Sequence, residues 1–180
     1  LRLPSGLQTL ITDTGGFIQQ LPTTLIAAFK STLEEVTEAD FILHVVDASH
    51  HDFEQHQETV RKLLKELNAD HIPALIVYNK MDQVDETFIP MGHPSISISA
   101  FQEEDLVRLR EKIEQTIKKH WDKYYLSLDA EHSQWLYDLT RQTIIEEKIF
   151  VENNNTYKIK GYAQKDHPIQ AIIKGEHKKT

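Results

Sequence analysis

Cysteine is absent from all 180 residues. That removes disulfides, thiolate metal sites and a thiolate nucleophile from consideration, and it fits a reducing compartment. Apolar runs are short: none approaches the roughly 18 residues a membrane-spanning helix needs, so no membrane span is expected. The first residues lack the basic start and apolar core of a signal peptide. Positive charge is scarce. Twenty Lys and Arg stand against 28 Asp and Glu, a net charge of −8. Binding to nucleic acid through bulk charge is therefore not expected, and neither is sequence-specific binding to DNA. Glycine is sparse too, with six residues at 6, 15, 16, 92, 161 and 175. What remains is ordinary for a globular protein: 39% hydrophobic and 27% charged, at a length sufficient for one domain or one and a fraction. The chain opens on Leu1 rather than a methionine and reads as a piece of something longer.

Residues 7–12 read as a strand after the turn Pro4-Ser5-Gly6. The loop Asp13-Thr14-Gly15-Gly16 follows. A helix is expected to start near Leu21-Pro22-Thr23-Thr24, with Leu25, Ile26, Phe29, Leu33 and Val36 on one face, and to end at Ala39-Asp40. Phe41–Asp47 is a nearly continuous apolar run of strand length, the signature of a parallel strand covered on both faces. His44 interrupts it and reads as a hydrogen-bonded core histidine. Val60, Leu63, Leu64 and Leu67 mark a helix, Ala74–Tyr78 a third strand, Ser95–Ile98 a fourth, and Leu106, Leu109, Ile113 and Ile117 a further helix. Alternation of this kind implies right-handed crossovers and a parallel sheet. After about residue 120 the rhythm changes. Trp121–Leu128 reads as a strand, 131–142 as a helix, 143–151 as a strand and Thr156–Tyr162 as the returning arm of a hairpin around Asn153-Asn154-Asn155. The expected organisation is an α/β domain over 1–120 and a small α+β domain of β-α-β-β order over 121–180.

Three loops, each at the carboxyl end of an expected strand, carry the chemistry. Aspartate at such an end faces the crevice where α/β sheets bind ligands, and a glycine three residues on lets the backbone approach a phosphate. In nucleotide switches the pair Asp13 and Gly16 would sense a γ-phosphate and its magnesium. Alone, Asp-x-x-Gly also fits a plain Asx turn. The second loop, Asn79-Lys80-Met81-Asp82, has the residue types that read guanine. The guanine edge offers N1–H and an exocyclic amino group, and one carboxylate, Asp82, can accept from both. Adenine would leave that carboxylate unmatched, a mismatch worth about 10⁴-fold in selectivity. Asn79 can brace the loop and reach N7, and Lys80 can lay its aliphatic stem along the base. The third loop, Ser99-Ala100, would offer a backbone N–H to the guanine O6. The order of the three loops, more than any one of them, identifies a GTPase-type segment.

Thr12-Asp13-Thr14-Gly15-Gly16-Phe17-Ile18, then Leu21-Pro22, Ala28–Glu35 and Leu43-His44-Val45-Val46-Asp47-Ala48, resemble the HflX family of ribosome-associated GTPases over most of residues 7–120. Gly161-Tyr162-Ala163 and Asp166-His167-Pro168 resemble the family's small C-terminal domain less sharply. The resemblance implies a bacterial cytoplasmic protein that binds GTP or GDP with Mg2+ and hydrolyses GTP. It also implies work on the large ribosomal subunit, splitting or rescuing ribosomes under stress. It implies nucleotide contacts from Asp13, Thr14, Gly15, Gly16, Asn79, Lys80, Asp82, Ser99 and Ala100, with Asp13 reaching magnesium through a bound water.

Two departures accompany the resemblance. Gly15 stands where the family usually has valine, which loosens the switch loop. More consequentially, no Gly-x-x-x-x-Gly-Lys-[Ser/Thr] occurs, so the phosphate cradle, its lysine and the magnesium-binding hydroxyl are absent from these 180 residues. The expected fold is thus an incomplete P-loop GTPase-type sheet lacking its first strands. Edges left open in that way recruit strands or rearrange. Phe17 follows Gly16, where many GTPases carry the glutamine that orients the attacking water, so fast hydrolysis would need an outside group.

Other clusters are weaker. His50, His51, Asp52 and His56 fit no standard metal spacing and read as a solvated loop. The basic run from Arg108 to Lys123 is interleaved with acids and reads as a solvated face rather than an RNA patch. Tyr124, Tyr125, Trp135, Tyr157 and Tyr162 read as packing of a small domain, with base stacking the alternative. Two functional readings stand: a fragment of an HflX-type GTPase, catalytically inactive by itself, and a non-catalytic module that binds ribosome or protein.

Overall fold

The computed structural model describes residues 1–14 and 36–174. It divides the chain into two compact units, residues 12–112 and residues 1–11 with 113–180. No helix among the described residues is long and apolar enough to cross a membrane.

The unit of residues 12–112 is built on a parallel sheet of β1 (Ile42–Asp47), β2 (Ala74–Asn79) and β3 (Ser95–Ser97), in the order β1-β2-β3. β2 lies in the middle, and Leu75, Val77 and Tyr78 on it are buried. β1 is an edge among the described strands. Its apolar run was expected to be covered on both faces, yet Val45 is 61% exposed. Among the described residues β1 pairs with β2 alone. His44 is half-buried there, and burial pulls its imidazole below the usual range.

Two helices follow strands of this sheet. α1 (Phe53–Glu66) follows β1, with Glu54 in its first turn and Lys65 in its last, matching the helix dipole. Leu63, Leu64 and Leu67 pack around Val36, Ala69 and Ile72. α2 (Glu103–Lys118) follows β3 and opens on three acids. Phe53 meets Tyr78 edge-on at 6.2 Å, and Phe88 completes the cluster over Val46 and Ala48. The helix expected from about 21–24 to Ala39-Asp40 lies outside the described residues, apart from its last turn at Val36 and Thr37.

The other unit holds β4 (Asp122–Asp129), α3 (Ser133–Gln142), β5 (Ile144–Val151), β6 (Thr156–Ala163) and the short α4 (Gln170–Ile173). Its sheet is antiparallel in the order β4-β6-β5. Tyr124, Leu128, Leu139, Ile159, Ala163 and Ile169 form its core. The phenol of Tyr124 meets Thr143 Oγ1 at 2.8 Å, so its polar end is satisfied inside the core.

Residues 7–12 are not a strand, contrary to expectation. The first eleven residues form a turn that belongs to the unit with α3. Gly6 turns the chain at φ 98, Arg2 and Gln8 make one antiparallel bridge, and Leu3 and Leu7 are buried. Gln8 N–H donates to the carbonyl of Arg141 at 2.8 Å, satisfying one of the orphan acceptors in the last turn of α3. Alternation in Leu7–Thr12 is a local signal, and here buried leucines and a helix-end carbonyl outweigh it.

Candidate functional site

β1 and β2 run parallel with Asp47 opposite Asn79, so both strands end at the same level. The loops that follow β1, β2 and β3 therefore leave from one edge of the sheet, where α/β folds place their ligands. The carbonyl of Asn79 accepts Ala48 N–H at 3.0 Å. Lys80 then takes the left-handed conformation at φ 65, ψ 36, and a 3-10 turn, Met81–Gln83, follows. A non-glycine residue in that region costs about 1 kcal/mol. Two contacts hold it there: Met81 N–H donates to Ile98 C=O at 3.2 Å, and Lys80 Nζ meets Asp47 Oδ2 at 2.5 Å.

The third loop closes on the second. Ser99, only 2% exposed, donates its hydroxyl to Asp82 Oδ1 at 2.6 Å. Ala100 N–H donates to Asn79 Oδ1 at 2.9 Å. Ser99 N–H donates to Asp105 Oδ2 at 2.7 Å, and Arg108 pairs with the same carboxylate at 2.6 Å. Asn79, Lys80, Asp82, Ser99 and Ala100, drawn from two loops, are thus one constellation. Asp82 is exposed, and the Ser99 hydroxyl holds its carboxyl below the usual range. It is an ionised acceptor at the surface whose plane is fixed by a buried serine.

Asp13 and Thr14 belong to the same unit, Asp13 exposed and Thr14 half-buried. Because 7–12 is no strand, Asp13 does not stand at a strand end as expected. Gly15, Gly16 and Phe17 lie outside the described residues. A backbone N–H of the Ser99-Ala100 loop is the expected donor to a base oxygen; of the two, Ser99 N–H donates to Asp105 and Ala100 N–H to Asn79. His50, His51 and Asp52 place one ligand atom each within 4.8 Å of the others, but His51 Nε2 is engaged with Asp52 at 2.9 Å and its side chain is 83% exposed. A cavity of about 420 Å³ lined by Arg2, Gln8, Tyr137 and Arg141 belongs to the other unit and contains none of the site residues.

Sequence reasoning missed two carboxylates. Asp47 reaches Lys80, and its other oxygen accepts both Ser49 N–H (3.0 Å) and Ser49 Oγ–H (2.6 Å). Burial pushes the Asp47 carboxyl up, but these hydrogen bonds outweigh it and leave it below the usual range. Asp105 anchors Ser99 from the first turn of α2. A signal existed for each: Asp47 ends an apolar strand, and Asp105 is an acid in a helix's first turn.

The family model described as 50S ribosome-binding GTPase matches residues 2–80. A GTPase HflX from Alkalihalophilus pseudofirmus is 47% identical over 175 residues, 97% of this chain and 41% of that protein. Similar proteins of the same name occur in Caldanaerobacter subterraneus subsp. tengcongensis, 40% identical over 82% of the chain, and in Magnetococcus marinus, 39% identical over 74%. The chain spans 41%, 34% and 32% of the lengths of these three relatives.

Proposed function

The chain belongs to the HflX family, and from that premise we propose that it carries the base-reading half of a guanine-nucleotide site in a cytoplasmic GTPase of the large ribosomal subunit. The observation that carries the reading is the joining of Asn79–Asp82 to Ser99–Ala100. Asp82 offers an ionised carboxylate whose orientation Ser99 fixes, which suits the two donors of the guanine edge. Asn79 and Ala100 hold each other until a base arrives. In this reading residues 1–120 form most of the GTPase domain and 121–180 a small C-terminal domain. The sheet is the later half of a P-loop GTPase sheet, and most phosphate contacts come from residues beyond these 180. Hydrolysis is assisted from outside, and ribosome splitting or rescue under stress is the task that use of GTP serves.

Magnesium fits this chain only in part. Among the described residues, the donor set expected on the phosphate side is the carboxylate of Asp13 with the neighbouring Thr14 hydroxyl, and one exposed carboxylate does not hold a magnesium ion without further oxygen ligands. Asp13 would act through a water on an ion held mainly by the nucleotide and by other residues. Bound there, the ion would neutralise phosphate charge.

The test is Asp82→Asn in the full-length protein, with binding measured by calorimetry. Losing a bidentate charged acceptor is expected to weaken GTP binding about 10- to 100-fold and to improve the relative affinity for xanthine nucleotides, whose C2 carbonyl suits an amide. Unchanged GTP affinity would remove Asp82 as the guanine reader. A second reading, a non-catalytic module binding ribosome or protein, draws on the absence of a phosphate loop in this sequence. It predicts that ribosome binding by the full-length protein is indifferent to GTP.

A further inference from the structure

We propose that Asp47 is a positioning residue for nucleotide binding: it tethers the Lys80 ammonium so that the lysine's stem is already laid across the base-reading loop before the base arrives. The proposal rests on the guanine reading of this site. Asp47 and Asn79 are register partners at the ends of adjacent parallel strands. Lys80, one residue further on, leaves its strand in the left-handed conformation. Its ammonium then meets Asp47 Oδ2 at 2.5 Å.

The other oxygen of Asp47 is saturated as well, by the backbone and hydroxyl of Ser49. With both oxygens engaged the carboxylate has one orientation, and so does the end of the lysine. Both ends of the Lys80 side chain are thereby pinned: the Cα by the Met81–Ile98 hydrogen bond and the Nζ by Asp47. An untethered lysine would be ordered only on binding and would weaken affinity by that much.

The pair itself is half in solvent, with Lys80 44% and Asp47 38% exposed. Exposed pairs add little to folding stability. A role in stability and a role in positioning therefore predict different results.

The experiment uses the full-length protein and titrates GMP, GDP and GTP against wild type, Asp47→Asn, Asp47→Glu, Lys80→Met, the double variant Asp47→Asn/Lys80→Met, and Asp82→Asn. Asp47→Asn is expected to weaken all three nucleotides by the same factor, about 10-fold, because the tether acts on the base side. Asp47→Glu recovers part of that loss. The double variant binds no worse than Lys80→Met, since both changes cut one tether. The unfolding midpoint without nucleotide stays within about 2 °C of wild type.

Asp47→Asn within twofold of wild type, while Asp82→Asn loses guanine preference, overturns the tether and leaves the guanine reading standing. Additive losses in the double variant overturn it too. A silent Asp82→Asn removes the guanine reading itself. Should Asp47→Asn fail to fold, Lys80→Met decides: unchanged affinity there overturns the proposal, and an equal loss for all three nucleotides supports it.

Discussion

Glu146 sits between two lysines, Lys118 at 3.0 Å and Lys160 at 2.8 Å. It occupies the bulge in β5 between Ile145 and Glu147, where the register against β6 shifts. The hydrogen bonds from Lys160 and then Lys118 hold its carboxyl down at about 2 against an ordinary 4.5. A depressed carboxylate stabilises the fold at pH values above its unfolded value, and that stabilisation is lost as pH falls through the folded one. The window is therefore pH 4.5 down to about 2. The three side chains are in contact with solvent, which screens the trio, so its contribution at pH 7 is small. Glu146→Gln should lower the urea midpoint modestly at pH 7, and the gap to wild type should close by pH 2. The only tryptophans, Trp121 and Trp135, lie in this unit and report its unfolding directly. A gap that stays constant across that window would show that the trio contributes nothing through its charge. None of this was legible in the sequence. That the loops Asn79–Asp82 and Ser99–Ala100 meet was legible, because parallel strands end at one edge of their sheet. Asp47–Lys80, 33 positions apart, and Lys118–Glu146, 28 apart, are joined only by register and bulge.

At the scale of elements, β6 shows how one residue type sets a strand's place. It pairs with both β4 and β5, and Gly161 lies opposite Tyr124 on one side and Ile145 on the other. A Cβ at 161 would stand 2.5 Å from the carbonyl of Ile144 and 2.9 Å from the Tyr124 ring. The ring lies across the glycine and reaches Thr143 from there. In an unobstructed strand, alanine in place of glycine gains about 0.5–1 kcal/mol. Here the clash is with backbone, so Gly161→Ala is expected to destabilise this unit by about 1–3 kcal/mol. Tryptophan-monitored urea unfolding gives the sign, and a midpoint at or above wild type would contradict the close packing. Strands β1 to β3 and helices α1 and α2 were legible because apolar runs and periodic faces are local signals. Two features were not. Leu7–Thr12 reads locally as a strand, but Leu7 is buried in the turn of the first eleven residues while Leu10 is exposed, and α4 is only four residues long, too short to show a period.

For the molecule as a whole, the proposed division of labour makes a quantitative statement about this chain. It holds the base-reading residues, while Gly-x-x-x-x-Gly-Lys-[Ser/Thr] occurs nowhere in it. In GTPases the triphosphate is held by backbone N–H groups, a lysine and magnesium. The chain's net charge of −8 gives no compensating attraction for an anionic ligand. A site that keeps the base-reading loops and few phosphate contacts gains little from phosphates. The 180-residue chain should therefore bind guanosine and GTP about equally and weakly, with dissociation constants on the order of 1 mM, and should discriminate against adenosine through Asp82. The full-length protein should prefer GTP over guanosine by orders of magnitude, with magnesium strengthening that preference. Ligand-observed NMR on the chain and calorimetry on the full-length protein measure both ratios. If the purified chain, free of any other piece of the protein, bound GTP in the micromolar range and at least about 100-fold better than guanosine, the phosphate-holding groups would have to lie within these residues, and the proposed split of the site would be wrong.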